Sequence, residues 1–454
     1  MTNNMTRTAI QIQPVPHALT ASVRVPGSKS LTNRALMVSA LADGTTRLTN
    51  ALFSDDTLYF VESLRWLGFT VHLEPESDQK GSSPSMTVTG LGGRIPAARA
   101  DLSIGNAGTA ARFLTAMLTL GNGTYSVDGD ARMRQRPMRD LVTALLQLGA
   151  EITRPISTEQ SSHANTPVAN LPFVIQARGL QGGRADIAGD SSSQFLSGLL
   201  LTAPYAQHAV ELGVVGGLSS KPFVDMTLAV MTDFGVQVER DGYNRFFIPP
   251  QRYRSPGTYT IECDATAASY FFAAAAIVGG TVRVEGTTRP SKQGDLAFLN
   301  VLAQMGCGVA DGPDGVSVTG APGSPGFSSL KGVTVDMRDM SDTAQTLAAI
   351  APFASTPTTI HGIASARLKE TDRVAAICTE LTRLGIRVDE FSDGLTIYPC
   401  RDFRPAEIQT YNDHRMAMAF SLIGLRIPGI TILNPGCVSK TFPGFFEALA
   451  RLRV

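Results

Sequence analysis

In YFVESLRWLGFTV, residues 59–71, apolar side chains recur at the i, i+3, i+4, i+7 spacing of one helix face, a glycine follows the last of them, and a stretch containing a β-branched residue comes next. That order predicts an amphipathic helix, a closing glycine with positive φ, and a strand. The same phrase returns as RDLVTALLQLGAEI (139–152), VDMTLAVMTDFGVQV (224–238), LAFLNVLAQMGCGV (296–309) and VAAICTELTRLGIRV (374–388). A sixth copy, FFEALARLRV (445–454), runs to the last residue. The closing glycines lie roughly 70–85 residues apart, the period of a supersecondary unit rather than of a single helix. Ahead of the copies stand strand-like TRLTN, YSVDG, AVELGV, TVRVEG, TTIHG and ITILNP. Between copies lies a second helix of smaller residues, such as TAARFLTAML, SQFLSGLLLTA and ASYFFAAAAIV. The chain therefore reads as six β-α-β-α-β-β units, an α/β fold of the α+β type, and six such units group more naturally into two lobes than one.

The rest of the composition narrows what such a fold does. With 39 basic and 39 acidic residues in 454, the chain has no net charge, which argues against a polyanion such as nucleic acid as general partner. The five cysteines (Cys263, Cys307, Cys378, Cys400, Cys437) are widely spaced, with no CxxC pair, so free thiols in a reducing compartment are expected and a zinc site is not. MTNNMTRTAIQIQPVP lacks a signal-peptide core, and the longest apolar stretch, YFFAAAAIV, is too short to span a bilayer. A soluble protein, placed in the cytoplasm and away from membranes, is the expectation. Three polar inserts, EPESDQKGSSPS (74–85), PISTEQSSHANTP (155–167) and GPDGVSVTGAPGSPG (312–326), each follow a closing strand and read as hairpin tips or surface loops.

The chemically notable residues gather in two phases of the repeat, both at predicted helix starts. The first phase gives GSKSLTNR (27–34), GNAGTAAR (105–112), GDSSSQF (189–195), MSDTAQ (340–345) and YNDHR (411–415). The second gives RQRP (134–137), SSKP (219–222), RPSKQGD (289–295), RLKETDR (367–373) and VSKTFP (438–443). Ser, Asn, Asp and Gly are ordinary N-caps, and Pro after Arg136 and Lys221 suits a first helical turn. Capping does not account for the cations Arg136, Lys221, Lys292, Lys369 and Lys440, because a helix N-terminus is already positive. A bound anion removes the conflict, so the pattern predicts sites for phosphate or carboxylate, more than one of them.

No nucleotide motif explains these sites: GSKS lacks the upstream glycine of a P-loop, no GxGxxG follows a strand, and neither HExxH nor GxSxG occurs. Two carboxylates within the cationic set, Asp342 and Glu370, are the proton-transfer candidates, which suits addition or elimination on a phosphorylated substrate.

At PGSKSLTNRALM, GNAGTA, RPM, SSQFLSGLLLTAP, SKPFVDMTL, LKETDR, YNDHRMAM and KTFPGFFE the chain resembles the 5-enolpyruvylshikimate-3-phosphate synthase family of enolpyruvyl transferases, from Pro26 to Glu447. The resemblance implies two lobes of three βαβαββ units with the active site in the interlobe cleft. One lobe would take residues 1–27 and 263–454, the other 28–262. It implies transfer of the enolpyruvyl group of phosphoenolpyruvate to the 5-hydroxyl of shikimate 3-phosphate, with release of phosphate. By the same resemblance, Lys29, Ser30, Arg34, Ser192, Ser193, Gln194, Ser220, Asp342, Ser365 and Lys369 meet shikimate 3-phosphate. Lys29, Gly108, Arg136, Gln194, Arg373, Arg415 and Lys440 meet phosphoenolpyruvate. Asp342 is then the base, Glu370 the proton donor, and Lys29 part of the catalytic set, with no metal or organic cofactor and a monomer as the expected state. Glyphosate, the family inhibitor, would occupy the phosphoenolpyruvate position. Ser365, where asparagine is frequent, and Phe113, where proline is frequent, depart from the family pattern.

The nearest rival reading is the related transferase acting on UDP-N-acetylglucosamine. It typically carries a loop cysteine between the second and third repeats, whereas this chain has none before Cys263. A non-catalytic RNA-binding β-α repeat protein would need basic excess and exposed aromatics, against zero net charge and 7% aromatics here.

Overall fold

The computed structural model describes residues 8–76, 83–155, 168–189, 192–321 and 330–453. The described residues divide into two compact units, one running to Pro26 and resuming at Glu262, the other spanning Gly27–Ile261. Each unit has its own hydrophobic core.

Within Gly27–Ile261, three four-stranded sheets repeat one plan. In the middle one, Arg99–Ser103 pairs parallel with Asn122–Asp128, which pairs antiparallel with Phe173–Arg178, which takes Glu151–Thr153 at its edge. Helix Gly108–Leu118 joins the first two strands and Arg139–Gln147 leads to the hairpin, giving β-α-β-α-β-β in chain order. The sheet containing Asp43–Thr49 departs from that order. Its parallel edge strand is Thr258–Thr260, from the far end of the unit, rather than the strand preceding it in sequence. That preceding strand, Leu19–Arg24, instead pairs parallel with Gly280–Glu285 in the other unit's own sheet.

The unit built from the two chain ends holds two more four-stranded sheets and a three-stranded one. In the last, Glu407–Ile408 and Thr431–Leu433 run parallel, and Ala9–Gln11 closes the sheet antiparallel. The sixth repeat thus ends at its second helix, and the start of the chain supplies the missing strand.

The repeat phrase is realised at the backbone. Gly68, Gly149, Gly235, Gly306 and Gly385, the five closing glycines, all adopt φ between +84° and +101°, where a Cβ would be strained. The two helix classes differ in burial as their residues dictate. Helices Gly108–Leu118, Ala265–Val278 and His414–Gly424 are buried on every side, which their small residues permit. Helices Arg139–Gln147 and Arg373–Arg383 bury one face.

Two readings of the sequence need correction. The insert 312–326 is not all loop. Gly315–Thr319 is a strand paired with Gly308–Gly312, because Val316 and Val318 alternate inward to full burial. Residues 77–82, 156–167 and 322–329 of the three inserts lie outside the described residues. The fourth second-phase helix is also not a single run of a dozen residues; a 3-10 turn, Gly294–Ala297, precedes a seven-residue helix, Phe298–Gln304.

An aromatic cluster anchors the last helix. Phe445 is fully buried against Tyr270, Phe271, Phe442 and Phe446, at centroid separations of 5.3–6.2 Å. Phe445→Ala should cost about 3–5 kcal/mol in denaturant unfolding, and Phe446→Ala, half-buried, less than half as much.

Candidate active site

In the unit Gly27–Ile261, the expected ligands lie at four helix starts. Ser28 caps Lys29–Leu41 by accepting from Leu31 N at 3.4 Å. Lys29 opens the helix, and its Nζ lies 3.2 Å from Asp56, a buried carboxylate in the first turn of Asp55–Trp66. The positive side chain at a positive helix end is therefore partly offset by an acidic residue on a neighbouring helix. Arg34, one turn on, is buried: it donates to Thr227 Oγ1 (2.8 Å), Ser197 Oγ (3.2 Å), Phe223 O (3.0 Å) and Ser30 O (2.9 Å) and stacks over Phe113. Burial brings its pKa down to about 9. The guanidinium thus ties helices Lys29–Leu41, Ser193–Thr202 and Lys221–Asp233 together. Phe113 is its stacking surface, and the helix carrying Gly108 runs unbroken through it.

Gly108 opens helix Gly108–Leu118, with Arg136 lying against its Cα. A Cβ on Gly108 would stand 2.5 Å from Arg136 Nη2. Arg136 donates to Asn106 O and Oδ1, and Arg112 holds the neighbouring backbone by donating to Gly108 O and Pro137 O. Gln194, capped by Ser192, reaches Thr109 Oγ1 at 3.2 Å. Ser193 is buried beside it, and Ser220 caps Lys221–Asp233 from a left-handed backbone.

Three cations expected at second-phase helix starts are placed differently. Arg136 follows the 3-10 turn Met133–Gln135, Lys369 follows Ala364–Leu368, and Lys440 ends Pro435–Lys440. Prolines 137 and 443 keep the next helix from starting directly, so it begins at Arg139 or Phe445. Of the other two, Lys221 is at a first helical position and Lys292 stands just outside the cap Gln293 of the 3-10 turn Gly294–Ala297.

The carboxylates assemble in the other unit around Arg373. Its Nε donates to Asp413 at 2.8 Å, Nη2 to Glu370 at 2.8 Å and Nη1 to Asp342 at 3.2 Å. Arg415 Nη2 donates to the second oxygen of Asp342 at 2.7 Å, and Lys440 Nζ lies 3.8 Å from Glu370. All six side chains are mostly buried, Asp342 being the most open at 19% exposed. Burial opposes charge on Arg373 and Arg415, but the carboxylates outweigh it and hold both above the ordinary arginine value. Three cations thus face three anions, and the cluster is neutral as it stands. Ser365 and Lys369 lie on the turn leading into it, both half-buried.

A sequence model of the EPSP synthase (3-phosphoshikimate 1-carboxyvinyltransferase) family matches residues 14–449. The chain belongs to the EPSP synthase family. Among its relatives in that family is the 3-phosphoshikimate 1-carboxyvinyltransferase of Nostoc punctiforme, 48% identical over 96% of this chain and 97% of the relative. The chloroplastic protein of that name from Arabidopsis thaliana is 46% identical over 98% of this chain and 84% of its own length. An EPSP synthase structure from Acinetobacter baumannii superposes with a TM-score of 0.76 over 97% of both chains at 27% identity. Three contributors to these clusters carried no assigned role in the sequence: Asp56, Arg112 and Asp413. Asp413 reads as a plain N-cap, and it does cap His414–Gly424 through Arg415 N at 2.9 Å. The same carboxylate also holds Arg373.

Asp413→Asn keeps an N-cap but removes one of the charges around Arg373. It should lower the unfolding free energy by about 3 kcal/mol, as breaking a buried ion pair does. Asp413→Ala, which also loses the cap, should cost about 1 kcal/mol more, both read from denaturant midpoints at constant m-value.

Proposed function

We propose that the cluster around Arg373 is the acid–base centre of the family reaction. The chain is an enzyme that transfers the enolpyruvyl group of phosphoenolpyruvate to shikimate 3-phosphate, a step of the shikimate pathway. The observation that supports this centre is the self-neutralised set of Arg373, Arg415 and Lys440 against Asp342, Glu370 and Asp413. An incoming phosphate and carboxylate compete for the cations, and carboxylates released from them regain basicity. The substrate itself thereby switches on the groups that move protons.

In this reading Glu370, protonated, gives its proton to the methylene carbon of phosphoenolpyruvate. Cationic character develops at the neighbouring carbon, the 5-hydroxyl of shikimate 3-phosphate adds there, and Asp342 takes the hydroxyl proton. The resulting tetrahedral adduct collapses: the methyl returns a proton to Glu370, the carbon–oxygen bond to phosphate breaks, and the proton held by Asp342 leaves with phosphate. Arg136, Arg373, Arg415, Lys440, Lys29, Gln194 and the Gly108 backbone bind phosphoenolpyruvate. Lys29, Ser30, Arg34, Ser192, Ser193, Gln194, Ser220, Asp342, Ser365 and Lys369 bind shikimate 3-phosphate. The cationic ligands offset the substrate charges without a metal or organic cofactor. The dispersed free cysteines fit a reducing compartment, so we place the enzyme in the cytoplasm, as a monomer.

Glu370→Gln and Asp342→Asn should each lower kcat for phosphate release by about 10² or more. Dissociation constants for both substrates should hold or tighten, because each variant frees a cation for the ligand. Parallel loss of turnover and affinity would reduce both residues to structural pairing. Gly108→Ala should raise the KM for phosphoenolpyruvate by displacing Arg136, and raise the inhibition constant of the slightly longer glyphosate further. A change of their ratio by more than about twofold, roughly half a kcal/mol, is the expected result. An unchanged ratio would assign the whole effect to Arg136.

A further inference from the structure

Behind the cluster sits a carboxyl that the proposed reaction leaves unused. Asp295 closes the motif RPSKQGD and lies in the turn Gly294–Ala297, 5% exposed. That turn packs against Ser341–Thr343, which carries Asp342, and against helix Ala265–Val278. Oδ2 of Asp295 accepts from Thr266 Oγ1 at 3.1 Å, while Oδ1 is buried without a hydrogen-bond partner. A half-satisfied buried carboxylate is costly, and a fold that only needed a small polar residue there would be better served by an amide or hydroxyl.

We propose that Asp295 is a positioning residue for proton transfer: a second carboxyl set behind Asp342 whose charge strengthens Asp342 as a base. The charges acting on it are Asp342, Arg415 and Asp264, and the adjacent Gln293 binds Glu262. Burial first, then Asp342, raises the Asp295 pKa to about 7, so its charge changes near neutral pH. An ionised Asp295 opposes the pull of Arg373 and Arg415 on Asp342 and raises its proton affinity; a protonated one leaves Asp342 a weaker base. Asp295 itself touches no substrate.

The role rests on the reaction assigned above, and one variant tests it by two independent readouts. Asp295→Asn retains an acceptor for Thr266 and cannot ionise. In wild type, kcat for phosphate release should climb as pH rises through neutrality. In Asp295→Asn that climb should be missing, leaving kcat about tenfold lower at pH about 8.5, with both KM values within twofold; a carboxyl acting through a shift of about one pKa unit gives that size. Thr266→Val, which removes the one hydrogen bond to the ionised form, should move the climb to higher pH rather than abolish it. The second readout is stability. Asp295 binds its proton more tightly folded than unfolded, so wild type should lose stability as pH rises from about 4 to about 7. Asp295→Asn should flatten that loss, melting above wild type at pH 8 and near it at pH 4. Superimposable kcat–pH profiles overturn the proposal whatever happens to stability, and an equal drop in melting temperature at both pH values marks Asp295 as packing. Should wild type release no phosphate from this substrate pair, the assigned reaction fails, and the melting data alone report whether Asp295 titrates.

Discussion

Arg373 is held by three carboxylates, and the meeting of the three segments that carry them depends on that guanidinium staying charged and in place. Asp413, Glu370 and Asp342 arrive on separate segments, at a helix start, in a loop and on a 3-10 turn, and like charges at such short range would drive these segments apart. The arginine's planar fork gives each a donor at a defined angle. Arg415 and Lys440 then complete the neutralisation from the outside. The cations of this cluster are thus packed around anions from the same unit, which keeps buried positive charge from destabilising the fold.

The other unit solves a related problem in a different way. Arg34 joins three helices, and Lys29 has a buried counter-ion in Asp56. Gly108 lets the Arg136 guanidinium lie directly on backbone, where a methyl group would intrude. Buried cations here serve as joints between helices.

The repeat was legible because it is local. Helix periodicity, positive-φ glycines and caps such as Ser28, Asp264, Asp372 and Asp413 are set by residues within a turn or two of each other. What escaped the sequence is long-range. The partners of Arg34 lie 163 and 193 positions away, and no spacing rule joins Arg34 to Ser197 and Thr227. Arg136 and Lys440 read as helix starts because a cation near proline looks the same whether a 3-10 turn has just ended or a helix is about to begin, and Lys369 does so because the Asp372 cap lies only three residues on. The strand in VSVT was masked by the Gly and Pro around it. The Asp342 and Glu370 constellation was readable as carboxylates among cations, but Asp413 was hidden by its second job as a cap.

The exchange of edge strands bears on how the chain can fold at all. The unit formed by the two chain ends is entered at Pro26 and re-entered at Glu262, with Asp264 N donating to Pro26 O at 2.8 Å. Closing that junction across more than two hundred unstructured residues would cost about 5 kcal/mol of chain entropy. The inserted unit brings its own ends together, since Thr258–Thr260 pairs with Arg47–Thr49 and Ile261 Cγ2 lies near Gly27. Once it is folded the junction spans almost nothing. Order of assembly is therefore written into the topology: the interrupted unit closes cheaply only after the segment that interrupts it has closed.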